Sequence, residues 1–167
     1  MSFSLLPYVQ TKKLTDITET YLNENGIRLL MMDFDNTIVP YTSNVPTQEV
    51  VTWLSEMQKS NVQLCVVSNS KNQRVQIFCK EYHLDCITHA RKPFPDGIRR
   101  CLEKYGISPE ESALVGDQIF TDTLGANCAG VKAILIEAID NHNIWLKLRH
   151  VAELPFIYLG RNRRMKK

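Results

Sequence analysis

No C-x-x-C pair occurs anywhere in the chain, and its five cysteines, Cys65, Cys79, Cys86, Cys101 and Cys128, are odd in number. That argues against a disulfide framework or a cysteine-based zinc site and points to a reducing cytosol. No apolar run approaches the roughly 18 residues a spanning helix needs. The start, Met1-Ser2-Phe3-Ser4-Leu5-Leu6-Pro7, lacks the basic stretch and long apolar run of a secretion signal. Neither sign of charge dominates: 20 Lys and Arg stand against 18 Asp and Glu, for a formal net charge of +2. Bulk electrostatics therefore select no nucleic acid or membrane partner. No internal repeat, low-complexity segment or aromatic-basic stripe that would stack bases is present, which ranks nucleic-acid binding low.

What remains is an ordinary globular composition, with 44% hydrophobic residues in 167, suited to one domain spanning 1–167. Short apolar runs alternate with longer mixed ones. Strands are expected at Leu29 to Phe34, Val62 to Val67, Cys86 to His89, Ala113 to Val115 and Val131 to Ile136. Helices are expected after Pro46-Thr47 (Val50, Val51, Leu54 and Met57 on one face), over 72–82, from Pro95 to Tyr105, and from Thr121 to Ala129. Gly106 and Gly130 stop the last two. Ser108-Pro109-Glu110-Glu111 has the form of a capping box opening a short turn. Strand and helix alternating in this way predict an α/β fold: a three-layer α/β/α, Rossmann-like parallel sheet.

Ligands of such sheets sit outside the carboxyl ends of the strands. Those ends carry Asp33, Ser68, Lys92 and Asp117, with Asp35 and Asp122 nearby. Each motif alone is ambiguous, since D-x-D can be a turn or a cap and Lys92-Pro93 an ordinary surface pair. Together they form a site pattern. Asp33 and Asp35 repel unless a hard divalent cation such as Mg²⁺ relieves them, and Asp117 can add a third carboxylate. A carboxylate can then attack phosphorus while the second acid moves a proton to the leaving oxygen. Ser68 and Lys92 can hold the phosphoryl oxygens.

The set Asp33-Phe-Asp-Asn-Thr37, Ser68-Asn-Ser70, Lys92-Pro93 and Gly116-Asp-Gln-Ile-Phe-Thr-Asp122 resembles the four motifs of the haloacid dehalogenase superfamily. More closely, Arg91-Lys92-Pro93 and Gly116 to Gly130 resemble YqeG-type phosphatases of its IIIA branch. The likeness runs from about Leu5 to Ile139. It implies Asp33 as nucleophile and Asp35 as acid/base, with Mg²⁺ held by Asp33, the Asp35 carbonyl and Asp117. It implies Ser68, Asn69 and Lys92 at the phosphoryl group, with Thr37 and Asp122 in support. Superfamily members usually carry a cap domain. Thr37 to Ser68 and Ser70 to Lys92 are too short here to fold one, so an open, capless site is expected. Such a site suits a large or lipid-linked phosphate such as phosphatidylglycerophosphate, or an oligomer partner that covers it.

Residues 141–167 are read as a C-terminal helical and basic tail. Trp145, Leu146, Leu148 and Val151 alternate with Lys147, Arg149 and His150. Arg161, Arg163, Arg164, Lys166 and Lys167 follow. This is either a helix packed on the sheet with a solvated end, or an attachment to an anionic membrane surface. The localisation expected is cytoplasmic, with peripheral membrane contact if the tail binds lipid. The alternative functions are a non-catalytic binding module of the same fold and a phosphatase acting on nucleic-acid ends.

Overall fold

The computed structural model describes residues 3–71, 73–140, 153–160 and 165. The amphipathic stretch expected at 145–151 and, except for Met165, the basic tail lie outside the described residues. Among the described residues, no helix is long and apolar enough to cross a membrane.

Six parallel strands form one sheet: β1 (Val9–Gln10), β2 (Leu29–Met32), β3 (Gln63–Val67), β4 (Asp85–Ile87), β5 (Ser112–Gly116) and β6 (Lys132–Leu135). Their order is β1-β6-β5-β2-β3-β4. From β2 the chain runs outward through β3 to β4, then returns to β5 on the other side of β2. The order therefore reverses at β2, and the crevice above its carboxyl end is where such folds place a ligand.

Strand periodicity divides the core between the two faces. In β2, Leu30 and Met32 enter one apolar cluster and Leu29 and Met31 the other. All four are fully buried, which contributes about 1.5–3 kcal/mol for each side chain. The first cluster is covered by α1 (Glu19–Glu24), α2 (Gln48–Met57) and α3 (Gln73–Glu81), through Leu22, Trp53, Leu54, Val75 and Phe78. The second is covered by α4 (Asp96–Tyr105) and α5 (Leu124–Ala129), through Ile98, Cys101, Leu102 and Ala126. The three-layer α/β/α arrangement follows.

Local chemistry explains most boundaries. Thr47 caps α2 by accepting a hydrogen bond from the Val50 amide. Gly106 ends α4 and Gly130 ends α5, both in the left-handed region at φ 62° and 79°. The five cysteines are free thiols, and Cys65 is fully buried in β3.

Several expectations need correction. The first strand, β1, was not expected, because two residues are too few to show a period; its amides and carbonyls pair with β6. The helix α1, capped by Thr18, was also not foreseen. In α2 the inward side chain is Trp53, whose Nε1 donates to the Ile17 carbonyl at 2.7 Å, while Val51 is half-buried. The third expected strand begins and ends earlier, at Asp85–Ile87. Ser108 does not cap a backbone amide; its hydroxyl donates to Glu111 Oε2 at 2.9 Å. The helix expected from Thr121 starts sooner, as a π-helical turn over Ile119–Thr123 that feeds α5.

Candidate active site

The strand ends deliver their polar residues to one edge of the sheet. Asp33 follows β2 directly, and its amide still donates to the Val115 carbonyl of β5 at 2.9 Å. The ladder therefore fixes its backbone before its side chain enters the site. Phe34 then turns inward, fully buried, with its ring edge-on to Phe78 at 5.2 Å. Burying Phe34 leaves Asp33 and Asp35 on the other side of the chain. Asn36 closes the turn in the left-handed region at φ 61°, where its side-chain oxygen accepts from the Tyr41 amide at 3.0 Å. Thr37 is buried beneath it, and its hydroxyl has no hydrogen-bond partner among the described residues.

Lys92 is the centre of the arrangement. Its side chain is 1% exposed, and its Nζ lies 2.6 Å from Asp33 Oδ1 and 2.7 Å from Asp122 Oδ1. The backbone that carries it is clamped by Asn69, whose Oδ1 accepts from the Lys92 amide at 2.6 Å and whose Nδ2 donates to the Lys92 carbonyl at 2.9 Å. The sequence reading grouped Asn69 with the phosphate ligands. In the structure both ends of its side-chain amide hold the Lys92 backbone, and the second N–H of Nδ2 can still donate to a phosphoryl oxygen. Two close approaches complete the frame. A Cβ on Gly97 would overlap the backbone of Ala90, just before Lys92, and a Cβ on Gly116 would overlap the Asp122 carboxylate.

Ser68 ends β3 fully buried, its amide donating to the Ile87 carbonyl of β4 at 3.0 Å. Its Oγ accepts from the Ser70 amide at 3.1 Å, which leaves the hydroxyl proton to donate elsewhere. Asp117 ends β5 and is 8% exposed. Asp122 reaches back from the π-helical turn, and its Oδ2 accepts from the Gln118 amide at 3.1 Å. Carboxylate oxygens of Asp33, Asp117 and Asp122 lie within 4.8 Å of one another, and all three residues are buried.

The electrostatics of this cluster are lopsided. Four carboxylates, Asp33, Asp35, Asp117 and Asp122, face two side-chain cations, Lys92 and Arg74. Burial raises the Asp33 carboxyl to about 7; Lys92 offsets part of that rise, and Asp122 and Asp35 add to it. Burial works against the Lys92 ammonium, but Asp122 and Asp33 outweigh it and hold its pKa above the usual lysine value. Asp35 is also raised, mainly by burial, with Arg74 and Lys92 pulling the other way. An all-oxygen donor set with surplus negative charge fits a hard divalent cation. Asp122 has one oxygen on Lys92 and the other on an amide. Asp33 and Asp117 are therefore the side chains best placed to hold such an ion.

Two residues escaped sequence reasoning. Arg74, in the first turn of α3, places Nη2 2.8 Å from Asp35 Oδ1. Glu153, 2% exposed, has an Oε1 that accepts from the amides of Ile119 at 3.0 Å and Phe120 at 3.3 Å, bracing the turn that carries Asp122. Phe156 packs edge-on to Phe120 at 6.2 Å, and Gln10 Nε2 donates to the Ile157 carbonyl at 3.1 Å. The described piece of the C-terminal stretch thus forms a wall beside the site.

Residues 42–136 match the family model described as "Haloacid dehalogenase-like hydrolase". The chain is 30% identical over 131 residues to "Probable phosphatase YqeG" of Bacillus subtilis, covering 78% of this chain and 76% of that protein. It is 31% identical over 68 residues to glyceraldehyde 3-phosphate phosphatase of Pyrococcus furiosus, covering 41% of this chain and 24% of that enzyme. Among solved structures, a HAD-superfamily hydrolase from Ehrlichia chaffeensis superposes with TM-score 0.58 at 15% identity, over 78% of this chain and 98% of that one. The cobalt-bound deoxy-D-mannose-octulosonate 8-phosphate phosphatase of Haemophilus influenzae superposes with TM-score 0.55 at 12% identity, over 81% and 92%. These two likenesses bear on the fold.

Proposed function

The chain belongs to the haloacid dehalogenase-like hydrolases, as a phosphatase of that family, and from that premise we propose that it hydrolyses a phosphate monoester through an aspartyl-phosphate formed on Asp33, with Mg²⁺ as cofactor. The observation that carries this reading is Lys92 Nζ, held between Asp33 and Asp122 at 2.6 and 2.7 Å beside the buried carboxylate of Asp117.

A phosphate monoester is anionic, so an anionic nucleophile needs positive charge around it. Mg²⁺ held by Asp33, Asp117 and the Asp35 backbone carbonyl would neutralise the phosphoryl oxygens and the carboxylates together. Lys92 and the Ser68 hydroxyl hold phosphoryl oxygens, and Lys92 also fixes the Asp33 carboxylate for in-line attack. An Asp33 oxygen forms a bond to phosphorus as the bond to the ester oxygen breaks. Asp35 gives that oxygen its proton, so the alcohol leaves neutral. In the second step Asp35 takes a proton from the water that attacks phosphorus. Inorganic phosphate departs and Asp33 is restored. Asp122 keeps Lys92 aligned by ion pair, and the Asn69 side-chain amide does so by holding the Lys92 backbone. Thr37 lies buried in the turn that follows the two acids.

Between Thr37 and Ser68 the chain holds one loop, α2 and β3, and between Ser70 and Lys92 it holds only α3 and β4. Among the described residues, neither interval contains a cap. A substrate with a bulky or lipid-linked body can then act as its own lid against water.

The test is Mg²⁺-dependent hydrolysis of an aryl phosphate by the purified protein and by its Asp33→Asn variant. Loss of turnover in a variant that melts cooperatively near the wild-type temperature is expected. Wild-type rates in Asp33→Asn would overturn the mechanism. Comparing a soluble ester with phosphatidylglycerophosphate in vesicles tests the substrate class. Preference for the soluble ester would remove the lipid-linked reading and leave the chemistry standing.

A further inference from the structure

Arg74 belongs to none of the four motifs, yet its guanidinium is held on several sides at once. Nη2 is 2.8 Å from Asp35 Oδ1 and 3.3 Å from the Ser43 carbonyl. Nη1 lies 3.5 Å from the Tyr41 carbonyl. The guanidinium carbon stands 5.0 Å from the centroid of the Phe34 ring, which is itself fully buried. The side chain is 19% exposed. Its partners therefore are the second acid after β2, the loop that follows that acid, and the aromatic residue between the two acids. Arg74 stands on α3, which follows Ser68, so it ties the segment after β3 to the one after β2.

We propose that Arg74 is a positioning residue that sets the orientation of the Asp35 carboxyl for proton delivery to the leaving oxygen. The inference rests on the phosphatase reading and deepens it. A guanidinium suits the task because its planar fork can contact a carboxylate and backbone carbonyls while its face rests on a ring. The contact engages one oxygen of Asp35, and a proton carried by the other is compatible with it. Arg74 gives and takes no proton. During ester cleavage the Asp35 proton goes to the ester oxygen as the phosphorus–oxygen bond breaks, and the guanidinium keeps its charge throughout. Misplacing a reacting group by about 1 Å costs about 10²-fold in rate, so a fixed carboxyl is worth a dedicated partner.

Proton delivery matters most when the leaving group is basic. Arg74→Met and Arg74→Lys are to be compared with wild type on p-nitrophenyl phosphate, which expels a stable phenolate, and on an alkyl phosphate, which must be protonated to leave. The Met variant is expected to lose at least about tenfold more in kcat/KM on the alkyl ester than on the aryl ester, and the Lys variant to show the same bias at smaller size. In an Asp35→Asn background, Arg74→Met should add less than about twofold, because the group it positions is gone. Equal loss on both esters, no loss on either, or a full additional loss in the Asp35→Asn background would overturn the proposal. If the Met variant melts far below wild type, the Lys variant carries the comparison. Failure of the wild type to hydrolyse either ester would instead remove the phosphatase reading, which separates the two failures.

Discussion

Among the described residues, Lys92 and Arg74 are the cations ion-paired to the site's carboxylates, and they are set in contrasting surroundings. The Lys92 side chain is 1% exposed and touches two carboxylates whose own side chains are 9% and 4% exposed. Arg74 is 19% exposed and touches one carboxylate that is 23% exposed. The inner region is a closed ionic network laid on the strand ends, where removing Lys92 strands two buried carboxylates. The outer region is a less deeply buried latch between a loop and a helix, with part of each side chain open to water. The inner half handles the phosphoryl group, whose charge is the same in every substrate. The outer half handles the leaving oxygen, whose demands differ between substrates.

That contrast breaks most readily at Lys92. Lys92→Ala is expected to cost about 3–5 kcal/mol in urea unfolding, because Asp33 and Asp122 stay buried without their cation. Turnover should fall by about 10³-fold or more as well. A loss below 1 kcal/mol would mean that the inner network is not the closed unit described. Glu153→Ala tests whether the C-terminal wall belongs to that unit. It removes the acceptor of two backbone amides beside the Asp122 turn, and a loss of about 1–3 kcal/mol is expected. Its Mg²⁺ half-saturation should also rise, whereas a change confined to melting temperature would make Glu153 a purely structural brace.

The third prediction concerns pH. Asp33 sits at about 7 against an ordinary 3.8, with burial the first cause. A raised carboxyl favours its neutral form in the fold. Its contribution to stability is complete below the ordinary value and is lost as pH rises through about 7. A cation needs the ionised form, so protons compete with Mg²⁺. The Mg²⁺ half-saturation should tighten by about tenfold per pH unit up to about pH 7 and level off above it. A flat profile across that range would contradict a raised Asp33 carboxyl. The smallest expected effect belongs to the outer half. Arg74→Ala should cost only about 1 kcal/mol in stability, since its ion pair and ring contact are partly solvated. A loss matching that of Lys92→Ala would erase the distinction between the two regions.

The inner half was legible because Asp33, Ser68 and Asp117 directly follow strands, which announce themselves locally, while Lys92 and Asp122 stood out by the motif resemblance. Leu29 to Met32 is apolar up to Asp33, and Ser112 to Gly116 runs straight into Asp117. Arg74 was not legible, because what makes it part of the site is its contact with Asp35, Tyr41 and Ser43, a separation in the chain that no period bridges. Glu153 escaped for the same reason: an acid in a basic, aromatic stretch shows no sign that it will accept from Ile119 and Phe120. Asn69 is placed at the phosphoryl group by the family resemblance, and its clamp on the Lys92 backbone in both directions was not legible, because 23 residues separate the two. The fold was readable wherever burial imposed a period. It was not readable at β1, where two residues are ordered by β6, nor at the π-helical turn, where Asp122 and Glu153 set the path.

The central claim is that Asp33 takes the phosphoryl group. Mixing enzyme, Mg²⁺ and an aryl phosphate, quenching in acid within a single turnover and mapping peptides by mass spectrometry tests it directly. The account predicts one phosphoryl group on the peptide carrying Asp33, absent from Asp33→Asn and from Mg²⁺-free enzyme. Active enzyme that releases phosphate with Asp33 never labelled, or with the label on another residue, would contradict it.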